Sequence, residues 1–259
     1  MIINFNKHIL QEKIQHINEI SVRFYQDSLC KQRTTQAQEY IESKKLSEET
    51  LDIFQIGLAN ASCKLFPHLK ENGFTDEEIF RSNLVLRTES GDYIDRFNNR
   101  LVFPIIDDLE RIVGLGGRLL DSNIKAPPFI SPQENELYCK KENFYGLNVA
   151  KLNNLDEIII VENYMHVLSL HQAGIKNTIS PATLGIKLSS LHGKLLSKYT
   201  SKIIIAYNSN NFGRNQALKD FDELVKHVKN VKILQIPDAR DLSEFVIKYG
   251  KEQFFDMMK

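Results

Sequence analysis

Ile158-Ile159-Ile160-Val161-Glu162-Asn163-Tyr164-Met165-His166-Val167 decides how the chain is read, because four β-branched apolar residues run straight into polar ones. A continuous run of that kind fits a strand buried on both faces, as in a parallel sheet held between helices. Such a strand needs partners on either side. Ligands in open α/β sheets sit past the carboxyl ends of the strands, which makes Glu162 the first candidate for chemistry. A Glu at a strand end also orients a neighbouring helix terminus, and both readings stand at this point.

Working outward, the last third of the chain alternates apolar runs with helical patterns. IIIV is followed by a helix near Met165 to Gly174, a short strand KNTIS, a helix near Ser189 to Tyr199, the strand KIIIAY, a helix near Gly213 to Val228, and the strand VKILQI. That alternation predicts a parallel sheet with helices on both faces. Asp241, three residues before Glu244, opens a last helix that Gly250 interrupts. The first half reads differently. Apolar spacing from Ile14 through Ile17, Ile20 and Phe24 marks an amphipathic helix to about Leu29, Ala37, Tyr40 and Ile41 give a second, and Leu51, Phe54 and Ile56 a third that Gly57 ends. Thr75 and Glu78 form a capping box. Beyond Leu84, LVLR, YIDRF, RLVFPII and RIVGLGGRLL read as a strand meander, the irregular stretch from Ser122 to Asn143 carries three prolines, and Tyr145 to Leu152 returns to helix.

The 259 residues allow one large or two modest domains. With 33 Lys and Arg against 33 Asp and Glu, no global field draws the chain to nucleic acid or to an anionic membrane, so any such binding is local. Cys30, Cys63 and Cys139 lie far apart with no C-x-x-C pair, which argues against a zinc ribbon or a disulfide scaffold and fits a reducing, cytoplasmic setting. No apolar run reaches membrane-spanning length, and MIINFNKHIL lacks the layout of a signal peptide.

These pieces, taken in order, resemble the RNA-polymerase core of the bacterial DnaG-type replicative primase, whose catalytic half is a Toprim domain. The resemblance is carried by YIESKKLSEETLDIFQIGLA, HLKENGFTDEEI, DRFNNRLVFPIIDDLERIVGLGGRLLD, LYCKKENFYGLNVAK, VENYMHVLSLHQAGI, YNSNNFGRNQAL and IPDARDLSEFVIKYG. It implies an α/β fold: a Toprim-type parallel sheet flanked by helices, preceded by a mixed α+β primase-core subdomain. The expected layout is a helical lead over 1–35, the amino-terminal subdomain over 36–152, the Toprim domain over 153–240 and a carboxyl-terminal helix over 241–259. The family's zinc-binding and helicase-docking domains are expected to be missing from this stretch, which holds no Cys/His cluster that could bind zinc.

The resemblance also implies where chemistry belongs. The family's phosphoryl transfer rests on acids in E-G-Y-M-D, D-G-D and D-P-D segments, because divalent cations that offset triphosphate charge prefer hard anionic oxygens. Here Glu162 keeps the first acid, and His166 stands at the second. Asn208 and Asn210 fill the D-G-D positions, Asp241 remains in the third segment, and Ser243 replaces its neighbour. Four of the six carboxylates are replaced, and metal affinity is expected to fall steeply. Each residue has a plainer role beside this one: Asp241 as a helix N-cap, Asn208 and Asn210 as turn formers, His166 as a surface or capping residue.

Arg100, Arg118, Lys125, Lys140 and Lys141 match or neighbour the family's basic positions for template and nucleotide. Eight Lys and Arg meet eight Asp and Glu between Asp95 and Lys151, so phosphate binding is expected to be weak and salt-sensitive. The reading that follows is a degenerate primase-like protein without primer synthesis. It acts by binding single-stranded DNA, an RNA-DNA hybrid, or proteins of a replication or related complex. No cofactor is expected, and Mg2+ or Mn2+ is the requirement if the site is active. The alternatives are a working nucleotidyltransferase using Glu162, Asp241 and Asn ligands or a transition metal through His166, and a protein-only scaffold subunit.

Overall fold

The computed structural model describes residues 2–153, 155–236 and 241–258, with side chains from residue 7 onward. The chain forms two units, residues 1–45 with 51–140 and residues 46–50 with 141–259. The expected boundaries near 35, 152 and 240 do not coincide with this division: the lead helix belongs to the first unit, the last helix to the second, and the break falls at Lys140.

In the first unit, α1 (Ile2–Lys31) buries Ile14, Ile17, Val22, Tyr25 and Leu29, the three-and-four spacing read from the sequence. α2 (Thr35–Ser43) is capped by the Thr34 side chain, and α3 (Glu48–Ile53) begins in the segment assigned to the second unit. Gly57, expected to stop a helix, opens the strand β1 (Gly57–Ala59). α4 (Leu65–Glu71) precedes α5 (Asp76–Arg81), whose capping box is present: Glu78 N donates to Thr75 Oγ1 at 3.2 Å, and Thr75 N to Glu78 Oε2 at 2.9 Å.

The expected meander is two separate structures. β2 (Val85–Arg87) and β3 (Tyr93–Asp95) pair only with each other, while β4 (Arg100–Ile106), β5 (Ile112–Leu119) and β6 (Phe129–Ile130) join β1 in an antiparallel sheet of order β1-β4-β5-β6. Residues 96–99 turn the chain between them, with Asn99 in the left-handed region at φ 57°. β4 is buried at every position, which is why its sequence runs apolar without alternation.

In the second unit, β7 (Phe144–Tyr145) and the short α6 (Leu147–Ala150) occupy the stretch read as helix alone. β8 (Ile158–Ile160), α7 (Tyr164–Gln172), β9 (Thr178–Pro181), α8 (Ser190–Leu196), β10 (Lys202–Ile205), α9 (Asn211–Leu224), β11 (Asn230–Ile233) and α10 (Leu242–Met258) then alternate as predicted. The sheet order is β11-β10-β8-β9-β7, parallel except for the antiparallel edge strand β7. β8 lies between β10 and β9, so Ile158, Ile159 and Ile160 are each 0% exposed. Each such side chain contributes about 1.5–3 kcal/mol by burial. Gly250, at φ 79°, breaks the helical backbone of α10. Among the described residues no helix is long and apolar enough to cross a membrane.

Candidate functional site

Parallel strands β8 and β10 end side by side, and the residues just beyond them meet. Glu162 is half-buried past β8, and Asn208 follows β10. Glu162 Oε1 accepts from Asn208 N at 3.0 Å, and Oε2 accepts from Asn208 Nδ2 at 2.6 Å. Burial pushes the Glu162 carboxyl up, opposed by His166 and by the two Asn208 bonds. Asn210 is the N-cap of α9, its Oδ1 accepting from Gly213 N at 2.8 Å. Gly213 is required here, because a Cβ would fall on the Asn208 carbonyl oxygen and on Glu162 Oε1. Asn210 is thus a helix cap where a turn former was expected, whereas Asn208 binds Glu162 within the protein.

His166 departs from the surface role. It is the third residue of α7, is 0% exposed, and has Nε2 3.1 Å from Asp241 Oδ2. Asn163 caps α7, with Oδ1 accepting from His166 N at 3.0 Å. Asp241 acts as a cap as well as a partner of His166, its Oδ1 accepting from Ser243 N at 2.9 Å and Glu244 N at 3.2 Å. Ser243 is 1% exposed. Neither its Oγ nor His166 Nδ1 nor Asn208 Oδ1 has a hydrogen-bond partner or access to solvent. Pro237–Arg240, part of the quoted IPDARD stretch, lie outside the described residues.

This donor set does not fit a divalent cation. A hard cation asks for six or more oxygens, several of them anionic and free to turn inward. Of the six candidate residues only Glu162 and Asp241 are anionic, and each of their oxygens already accepts a hydrogen bond, from Asn208, from α10 or from His166. Nor can His166 serve as a transition-metal ligand as arranged, since Nε2 faces Asp241 and Nδ1 is sealed. Among the described residues no group of three or more His, Cys, Asp or Glu is placed to hold a metal.

The first unit carries a different constellation. Arg100 is 5% exposed and donates from Nη1 to Pro127 O at 2.9 Å. Arg96 donates from Nη1 to Asn83 O at 3.3 Å and from Nη2 to Ser131 O at 3.0 Å. Arg118 lies with its guanidinium carbon 4.7 Å from the Phe129 ring centroid and 5.5 Å from that of Tyr40, and its Nε is buried without a partner. Burial, then the charge of Arg118, holds Arg100 below its ordinary value, and burial, then Arg100, does the same to Arg96. The three cations therefore feel one another, and none forms an ion pair with a carboxylate among the described residues. Of the other predicted basic residues, Lys125 is exposed, Lys140 is 3.5 Å from Glu134, and Lys141 is exposed in the second unit. Arg96, Tyr40 and Phe129 were not singled out in the sequence. Arg96 stands four residues before Arg100 in DRFNNR, but nothing local places Tyr40 and Phe129 against Arg118.

A Toprim-type sheet with polar residues gathered past its strand ends, in one chain with a basic primase-type sheet, defines a primase catalytic core. Residues 24–151 match the family of the DNA primase catalytic core, N-terminal domain, and residues 159–246 match a Toprim-like family. Over these residues the chain belongs to the DnaG-type primases, a family that uses Mg2+ or Mn2+ for its chemistry. It is 35% identical over 250 residues to a DNA primase of Clostridium acetobutylicum, covering 96% of this chain but 41% of that protein. Among solved structures it is similar to the zinc-binding and RNA-polymerase domains of the Aquifex aeolicus primase (30% identity, TM-score 0.87, 96% of this chain and 61% of that one). It is similar too to a DnaG primase catalytic domain bound to single-stranded DNA (27% identity, TM-score 0.85, 97% of this chain and 82% of that one). The chain spans about two fifths of the length of the curated relatives it matches.

Proposed function

We propose that this chain is a primase-fold protein that holds single-stranded nucleic acid through its first unit and does not carry out the metal-dependent nucleotidyl transfer of its family. The observation that carries the reading is the charge placement. Arg96, Arg100 and Arg118 are held in the first unit without carboxylate partners, while Glu162 and Asp241 in the second are consumed by internal bonds. A buried guanidinium bonded only to carbonyls keeps its charge uncompensated, and phosphate oxygens supply what is missing. The partly exposed Tyr40 and Phe129 rings beside Arg118 add flat surfaces on which an unpaired base stacks. The bound single strand in a similar catalytic domain supports the same class of ligand.

The test is a pair of measurements on one preparation. Anisotropy of a labelled single-stranded oligonucleotide at low salt is expected to show binding that weakens steeply as salt rises. Incubation with template, ribonucleotides and Mg2+ or Mn2+ is expected to give no primers. A second reading, an active primase whose site rearranges to accept metal, is favoured by the identity to a named DNA primase over nearly the whole chain. Template-dependent primers would establish it and overturn the first.

A further inference from the structure

The disagreement between the second unit's residues and a divalent cation has a specific agent. We propose that His166 is a plug: its imidazole closes the strand-end site to metal, and one substitution at this position reopens it. The proposal rests on the reading that the second unit has given up metal chemistry, and it names the residue that keeps it so.

The hydrogen-bond pattern fixes how the plug is held. His166 Nδ1 is buried with no partner, and a hydrogen on that atom would be left unpaired. The hydrogen therefore sits on Nε2, which donates to Asp241 Oδ2 at 3.1 Å. Asn163 Nδ2, 3.2 Å from the same nitrogen, is then a neighbour and not a donor, its amide being set by the bond from His166 N to Asn163 Oδ1. One ring thus takes an oxygen of Asp241 that a cation would need, while the backbone of α10 takes the other. Glu162 lies just past β8 and His166, which bonds Asp241, stands in the first turn of the next helix, and the Glu162 carboxyl feels both His166 and Asp241. An acid in place of the ring would bring three carboxylates near one another, mutually repelled until a cation enters. The third position of a helix accepts an acid well, because it lies at the positive end of the helix dipole.

The probe is Mn2+ alone, titrated into the full chain and followed by the electron paramagnetic resonance of the free ion. The wild-type protein is expected to show no saturable binding below millimolar Mn2+. His166→Asp is expected to bind at least tenfold more tightly, and His166→Gln, which keeps an N–H donor, to behave as wild type. The same series read as a Mn2+-induced rise in Tm, with His166→Glu added, covers the case in which one variant folds poorly without metal. Micromolar binding by the wild-type protein overturns the proposal, as does a folded acid variant that binds no better than His166→Gln. The failures are separable: wild-type protein that neither primes nor binds Mn2+, beside an unresponsive acid variant, removes the plug alone. Wild-type protein that binds Mn2+ and primes removes the functional reading as well.

Discussion

In the first unit Arg96 and Arg100 spend hydrogen bonds on carbonyl oxygens and Arg118 lies against the Tyr40 and Phe129 rings, whereas in the second every oxygen of Glu162 and Asp241 meets an N–H of the same unit. Net charge is zero over the chain, yet charge is left open in one unit and closed in the other. The lesson is that compensation at the level of single groups, not composition, decides what a surface can bind. The count of eight cations against eight anions between Asp95 and Lys151 hid this, because it does not say which charges meet: Asp95 accepts from Tyr25 at 2.8 Å, and Asp107 pairs at 2.7 Å with Arg111 and not with Arg96, Arg100 or Arg118.

The sharpest way to break the comparison is through the glycine that lets each site close up. Gly213→Ala would press a methyl group onto the Asn208 carbonyl and Glu162, backbone and bonded carboxylate that cannot step aside. Gly117→Ala would meet Phe97 and the flexible Arg100 stem. We expect the first to cost about 3 kcal/mol or more and the second about 1–2 kcal/mol, read from urea melts. Equal costs would mean that the second unit is not the more tightly closed.

Next in size is an opposition in pH dependence. Burial holds His192 down to about 4, so the stability it contributes in the second unit is fully present above the unfolded value near 6.5 and is lost as pH falls towards 4. Burial raises Asp95 from 3.8 to about 6, so the stability it contributes in the first unit is fully present below its unfolded value near 3.8 and is lost as pH rises towards 6. Each swing amounts to about 3 kcal/mol at most. Hydrogen exchange resolved by peptide should show protection moving in opposite directions between pH 6 and 4, flattened in His192→Gln and Asp95→Asn respectively. Parallel movement would contradict both assignments.

These contrasts show where sequence reading reached and where it stopped. β4 and β8 were legible because burial on all sides writes an unbroken apolar run, and Thr75 with Glu78 because a capping box is local. β1 and β7, three and two residues long, leave no periodicity to detect, and β4 chose β1 over β3 through a long-range pairing that no window of sequence contains. The site followed the same division. Asp241 as a cap was readable from Glu244 three residues on, but the contact of His166 with Asp241 spans 75 residues and turned an expected surface or capping histidine into a buried one. Likewise Tyr40 and Phe129 reach Arg118 only in the folded sheet.

A smaller effect addresses binding. Arg118→Ala is expected to weaken single-stranded DNA binding by roughly tenfold, about 1.4 kcal/mol, and to lower the salt slope by about one. Tyr40→Ala should weaken binding without changing that slope, because stacking releases no counterions. If both variants bound as wild type, the open guanidiniums would not be the nucleic-acid surface.

The smallest expected effect is the most discriminating. Glu162→Gln should change stability by less than about 1 kcal/mol and leave DNA binding within about twofold, because the amide repairs what the charge costs. Gln at this position still accepts from Asn208 N. Its own NH2 finds an acceptor if the Asn208 amide turns over, which brings the now unpartnered Asn208 Oδ1 into a hydrogen bond. Burial already raises the Glu162 carboxyl, so losing the charge removes a desolvation penalty along with the charged bonds. At a working metal centre the same substitution would strip an anionic ligand and abolish turnover. A near-silent Glu162→Gln would therefore place Glu162 in the framework of the second unit, and a damaging one would return it to chemistry.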